Sequence, residues 1–119
     1  ENFSGLTFID VGCGSGLVSL AALILNASQV ISLDAQASSV RTTLRLKRTL
    51  SRLGLLRGVD WRVLQGSILD EDFLDTLPRG DFVYSYGVLF HTGDLPLAMK
   101  NIAKLLTVTG RLFVGLHSK

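Results

Sequence analysis

The sequence predicts an α/β protein with a doubly wound, parallel β-sheet and helices on both of its faces. Three observations lead there. Strand-like apolar runs alternate with helical patterns along the 119 residues, as parallel strands joined by crossover helices require. Three glycines, Gly12, Gly14 and Gly16, stand at every second position between the first strand and the first helix. An acid, Asp34, ends the second strand.

The elements follow in order. Leu6–Val11 is an apolar run with one acid, Asp10, inside it, the pattern of a strand covered on both faces. Ser15–Leu25 reads as the first helix, with Ser15 as its N-cap and Asn26 near its end. Gln29–Leu33 is the second strand, closing on Asp34. Gln36–Leu53 is a long helix, and Gly54 suits the residue just past its end. Asp60–Gln65 alternates as a third strand, and Glu71–Leu77 is a short helix stopped by Pro78. Phe82–Tyr86 is the fourth strand. Leu95–Leu106 is a helix with Asp94 as N-cap and Pro96 in its tolerant first turn. Gly110 introduces the fifth strand, Arg111–Leu116. No repeat, linker or low-complexity tract divides residues 1–119, so one domain is expected.

Composition narrows the class. Hydrophobic residues make up 47% and charged residues 18%, enough apolar surface for a packed core and too little charge for a disordered chain. The run Leu17–Leu25 falls well short of the ~20 residues of a membrane span. The residues at the start, Glu1 to Ser4, are not a basic leader. The single cysteine, Cys13, excludes an internal disulfide and suits a cytoplasmic setting. Its place in the glycine loop reads as packing. No Cys/His cluster has metal-ligand spacing, so no metal is expected.

The glycine loop carries most of the chemical information. Glycine lets a backbone turn sharply and lets a ligand approach closely, because it has no Cβ. A helix starting there presents free N–H groups and a partial positive charge. A dinucleotide loop reads G-x-G-x-x-G and cradles a pyrophosphate. This one reads Gly12-Cys13-Gly14-Ser15-Gly16, and Asp10 precedes it by two residues. A carboxylate there repels pyrophosphate and suits a cationic ligand end, an ammonium or a sulfonium. Asp10-Val11-Gly12-Cys13-Gly14-Ser15-Gly16 resembles, without a gap, the first motif of the class I S-adenosylmethionine-dependent methyltransferases.

That resemblance extends from Leu6 to Leu116 and implies a Rossmann-like fold, S-adenosyl-L-methionine as cofactor and methyl transfer as the activity. Asp34 sits where an acid accepts hydrogen bonds from both ribose hydroxyls, and Ala35 follows it on the cofactor side. In the family the turn after the third strand often reads Gly-Asp-Ala, with its acid on the adenine amino group. Here it reads Gly66-Ser67-Ile68. Ser67 departs from the pattern, leaving its hydroxyl and the Ile68 N–H for the adenine, with Asp70 as a possible substitute acceptor. Ser85 and Tyr86 end the fourth strand at the ligand crevice. The stretch Val88-Leu89-Phe90-His91 resembles the family's Val-Leu-His-His. Phe90 replaces the first histidine; His91 keeps the second and is the candidate general base or acceptor-orienting residue. The family usually adds a helix and an antiparallel strand pair after the fifth strand; the sequence stops before them, which suggests a fragment.

Two other functions fit parts of the pattern. An NAD-dependent oxidoreductase would share Asp34 but would need a further loop glycine where Leu17 and Val18 stand. A non-enzymatic module could use the basic helix. Six of the twelve basic residues lie between Arg41 and Arg57 with no acid among them, and Arg41, Arg45, Arg48 and Arg52 fall within about 60° of one another on a helical wheel. Val40, Leu44, Leu46, Leu50 and Leu53 cover its other side. With no aromatics interleaved, the stripe reads as a solvated face, and a nucleic-acid partner has little support. A small-molecule acceptor, no membrane partner and a bacterial-type enzyme are the expectation.

Overall fold

The computed structural model describes residues 3–86 and 92–115. Five strands, β1 (Thr7–Val11), β2 (Gln29–Asp34), β3 (Asp60–Gln65), β4 (Gly80–Tyr86) and β5 (Leu106–Gly115), alternate with four helices. The helices are α1 (Leu17–Ile24), α2 (Ala37–Arg52), α3 (Glu71–Leu74) and α4 (Leu95–Leu105). The strands form one sheet in the order β3-β2-β1-β4-β5, every neighbouring pair parallel. The chain winds outward from β1 to β3, then returns to the other side of β1. Strand order therefore reverses between β1 and β4, where such sheets open a crevice at their carboxyl ends.

Side chains of alternate residues divide between two cores, as the period of a strand dictates. Phe8, Val30 and Trp61 face Ala22 of α1 and Leu46 and Leu50 of α2. Ile9, Val11, Ile31, Leu33 and Val83 face Leu74 of α3 and Ala98, Ile102 and Leu105 of α4. Phe3, Phe8 and Phe82 add ring contacts on the first face, with Phe8 and Phe82 stacked at 5.2 Å. The expected doubly wound parallel sheet is thus observed. No antiparallel strand pair occurs among the described residues.

Boundaries differ where local hydrogen bonds outweigh propensity. Gly16, not Ser15, caps α1: it adopts φ +92°, and its N–H donates to the Cys13 carbonyl at 2.9 Å. Asn26 ends that helical segment at φ +71°, and Gly54 follows α2 at φ +75°. α3 closes three residues early, Thr76 and Leu77 completing turns onto Phe73 and Leu74. Asp94 caps α4 through the Leu97 N–H, as expected. Leu106 begins β5 rather than ending α4, because Gly80 pairs with it. Arg79 donates to the Lys104 carbonyl at 2.6 Å and fixes that junction. The register then shifts, so Thr107 to Gly110 lie opposite Asp81. Leu53, expected on the covered side of α2, is 65% exposed.

Candidate functional site

The carboxyl ends of β1 and β2 are tied together by the glycine loop. The N–H groups of Gly12 and Cys13 both donate to the Leu33 carbonyl, at 2.7 and 3.0 Å. Gly12, Gly14 and Gly16 all have positive φ, at +79°, +54° and +92°, a conformation that side chains disfavour. Their roles separate in space. A Cβ at Gly16 would press on Thr43 and Leu46 of α2, the nearest atom at 3.1 Å. A Cβ at Gly14 would meet nothing within 4 Å among the described residues. Gly16 thus lets α2 approach, and no described residue crowds Gly14.

Asp34 closes this loop from the β2 side. One carboxylate oxygen accepts from the Gly14 N–H at 3.1 Å, the other from the Gln36 N–H at 2.9 Å. Each oxygen keeps a lone pair for a further donor, and Asp34 is partly exposed. Ala35 beside it is exposed, its carbonyl accepting from Gln65. Thr43, fully buried on α2, donates its hydroxyl to the Gly14 carbonyl at 2.9 Å.

Asp10 lies beneath the loop, 1% exposed. Ser19 donates to its carboxylate at 2.8 Å, Ser19 and Ser32 approach to 2.5 Å, and Trp61 Nε1 donates to Ser32 at 2.9 Å. The indole has only a hydrogen to give, so the protons order in one direction, from Trp61 through Ser32 and Ser19 to Asp10. Burial is the main force on the acid: loss of water pushes its pKa up to about 6, Ser19 pulls it down, and the Asp34 charge raises it further. Burial likewise pushes the Cys13 thiol up to about 11, which fits the packing role expected of it.

At the end of β3, the Gly66 N–H donates to the Asp34 carbonyl at 3.0 Å. That joins the third expected segment to the first two. Ser67 Oγ accepts from the Leu69 N–H at 3.0 Å, forming a side-chain turn. Asp70, considered as a substitute acceptor for the adenine, instead caps α3 through the Phe73 N–H. Ser85 stands beside Val11 in the sheet register. It is fully buried, and its hydroxyl has no partner among the described residues. Tyr86 ends β4 next to it. His91 lies outside the described residues.

The structure therefore gathers Asp10, Gly12, Gly14, Gly16, Asp34, Ala35, Ser67, Ile68, Ser85 and the Tyr86 backbone at one edge of the sheet. Sequence reasoning missed the supporting residues Ser19, Ser32, Thr43 and Asn101. Their common signal is a polar residue on an otherwise apolar face.

The methyltransferase domain family matches residues 9–112. A ubiquinone biosynthesis O-methyltransferase of Rhodopseudomonas palustris is 32% identical over 94% of this chain and 40% of its own length. A ribosomal protein L11 methyltransferase of a Psychrobacter species is 33% identical over 68% of this chain and 24% of its own length. Among solved structures, a precorrin 8W decarboxylase of Methanobacterium thermoautotrophicum superimposes with a TM-score of 0.70 at 26% identity, over 95% of this chain and 55% of that one. The chain thus spans about two fifths or less of the length of these curated relatives. With the acid-and-glycine loop, the strand order and a family match over most of its length, the chain belongs to the class I S-adenosylmethionine-dependent methyltransferase family.

Proposed function

We propose that residues 1–119 form the cofactor-binding core of an S-adenosylmethionine-dependent methyltransferase acting on an oxygen of a small-molecule acceptor. The observation that carries this reading is the left-handed glycine loop joined to Asp34 beside the β1/β4 strand reversal. The residues present fit the cofactor. Among the described residues none crowds Gly14, which leaves its backbone accessible to a ligand. Asp34 retains acceptor capacity for a ribose diol. Asp10 supplies negative charge under the loop for the cationic methionine end.

Bound there, S-adenosylmethionine would supply a methyl group already activated by its sulfonium. The chain's task is to hold that methyl in line with the acceptor and to exclude water, so orientation supplies most of the effect. His91 is proposed to take the acceptor's proton or to orient it. An oxygen acceptor is favoured because the relatives aligned over nearly all of this chain bear O-methyltransferase names. Those named for ribosomal protein L11 align over 35–68% of it. A cytoplasmic location is part of the proposal; among the described residues no helix is long and apolar enough to cross a membrane.

Calorimetric titration with S-adenosylmethionine, S-adenosylhomocysteine and NAD tests the cofactor assignment. Binding of the first two and not the third is expected. Binding of NAD alone, or of none of the three, overturns it for this chain.

A further inference from the structure

Asn101 sits on α4 with 1% of its surface exposed, facing the core of Ile68, Leu74 and Leu105. Its Nδ2 donates to the Ile68 carbonyl at 2.7 Å, while Oδ1 has no partner among the described residues. Leaving a buried amide oxygen unpaired carries a cost, so the one bond it does make invites an explanation.

Following the hydrogen bonds of the β3–α3 turn gives one. The Ser67 carbonyl accepts from the Asp70 N–H at 3.0 Å, and Ser67 Oγ accepts from the Leu69 N–H. The peptide between Ile68 and Leu69 is thus held at both ends: its oxygen by Asn101, its N–H by Ser67. The N–H groups of Ser67 and Ile68 are left with no acceptor among the described residues. Buried backbone donors are nearly always paired, and Ile68 is 3% exposed. In a trans peptide the N–H points opposite to the carbonyl. Because the Ser67 carbonyl turns toward α3, the Ile68 N–H turns away from it.

We propose that Asn101 is a positioning residue for purine recognition: by anchoring the Ile68 carbonyl to α4 it fixes the turn in which the neighbouring Ser67–Ile68 peptide, held through the Ser67 carbonyl, presents the Ile68 N–H to a ring-nitrogen acceptor of the adenine base. The inference rests on the S-adenosylmethionine reading of the site. It makes this turn a specificity device. Adenine offers an acceptor at N1. Hypoxanthine carries a hydrogen there and would set donor against donor.

The test compares S-adenosylhomocysteine with S-inosylhomocysteine, by calorimetry, on the native chain and on Asn101→Leu and Asn101→Asp. The native chain is expected to prefer the adenine compound. Each variant is expected to lose about tenfold in affinity for it, the worth of one hydrogen bond, with little change for the inosine compound, so the preference collapses. A purely structural role would weaken both ligands together, and an unchanged ratio in a folded variant overturns the proposal. Amide exchange on the native chain needs no substitution: the Ile68 N–H is expected to gain protection when S-adenosylhomocysteine binds, and no gain overturns the assignment. Failure of the native chain to bind S-adenosylhomocysteine at all would instead overturn the cofactor reading beneath it.

Discussion

Replacing Asp10 by Asn separates what the fold requires from what the ligand requires. The carboxyl is buried, and its pKa rises from 3.8 to about 6, chiefly through desolvation. At about 1.4 kcal/mol per pKa unit, keeping it ionised costs the folded state about 3 kcal/mol. The sign follows from linkage. The folded pKa exceeds the unfolded one, so the native state holds the proton more tightly. Stability from this group is complete below about pH 4, declines as pH rises toward 6, and is flat beyond. The substituted amide carries no charge, and its oxygen still accepts from Ser19. Its two N–H groups need partners, at a cost of about 1–3 kcal/mol. The variant should therefore be as stable as the native chain, or up to about 2 kcal/mol more stable, at pH 7.5.

The sharper quantity is the change with pH. The stability lost by the native chain between pH 4 and 7.5 should shrink by about 3 kcal/mol in Asp10→Asn. Trp61 is the only tryptophan and is 3% exposed, so its fluorescence reports urea unfolding directly. With a slope near 1.5 kcal/mol per molar urea, the difference is about 2 M in midpoint. Parallel midpoints in both proteins across that range would refute the assignment of the raised pKa to Asp10. Cofactor affinity should move the opposite way: a cationic ligand favours the ionised acid, so native affinity should rise between pH 5 and 7 and the variant's should not.

Three further outcomes are expected. Asp34→Ala should weaken S-adenosylmethionine binding by about 1–3 kcal/mol in calorimetry, through unpaired ribose hydroxyls and a released Gly14 N–H; unchanged affinity in the folded variant would remove Asp34 from the ligand. Gly14→Val should abolish binding at a stability cost of about 1–3 kcal/mol from its left-handed φ, whereas Gly16→Ala should lose stability in urea titrations beyond that range because α2 must also move; equal stability losses would contradict the separate roles of the two glycines. Cys13, 6% exposed with its pKa pushed up to about 11, should react with an aromatic disulfide reagent at pH 7.5 far more slowly in the native chain than in urea; equal rates would show that the loop is open.

The architecture was legible because its signals are periodic or conformational. An apolar run such as Leu6–Val11 can be little other than a buried strand, and glycines at 12, 14 and 16 select a left-handed turn that other residues resist. The start of β5 was not legible. Leu106 continues the helical pattern of Leu95–Leu105, and only the pairing with Gly80 and the Arg79 contacts at the helix end convert it to strand. Ser15 misled for a similar reason: its hydroxyl is a good cap by composition, but Gly16 takes the cap position once α2 packs against it.

The unread part of the site has a common physical form. Three helices each set one buried polar side chain against a strand end or a loop at the carboxyl edge. Ser19 of α1 bonds Asp10, Thr43 of α2 bonds the Gly14 carbonyl, and Asn101 of α4 bonds the Ile68 carbonyl. Each is no more than 1% exposed and shares its helix's buried face with apolar core residues. A single polar residue on an apolar helical face barely alters the period from which a helix is read, and its partner lies 9 to 33 residues away. A glycine loop is free to adopt many shapes, so the motif alone does not hold one. Two of these bonds, drawn from opposite faces of the sheet, hold loop carbonyls in place, and the third holds the strand acid beneath the glycine loop. The glycine motif marks the edge at which binding is proposed, and the isolated buried polar residues of the flanking helices are the contacts that hold that edge in its observed shape.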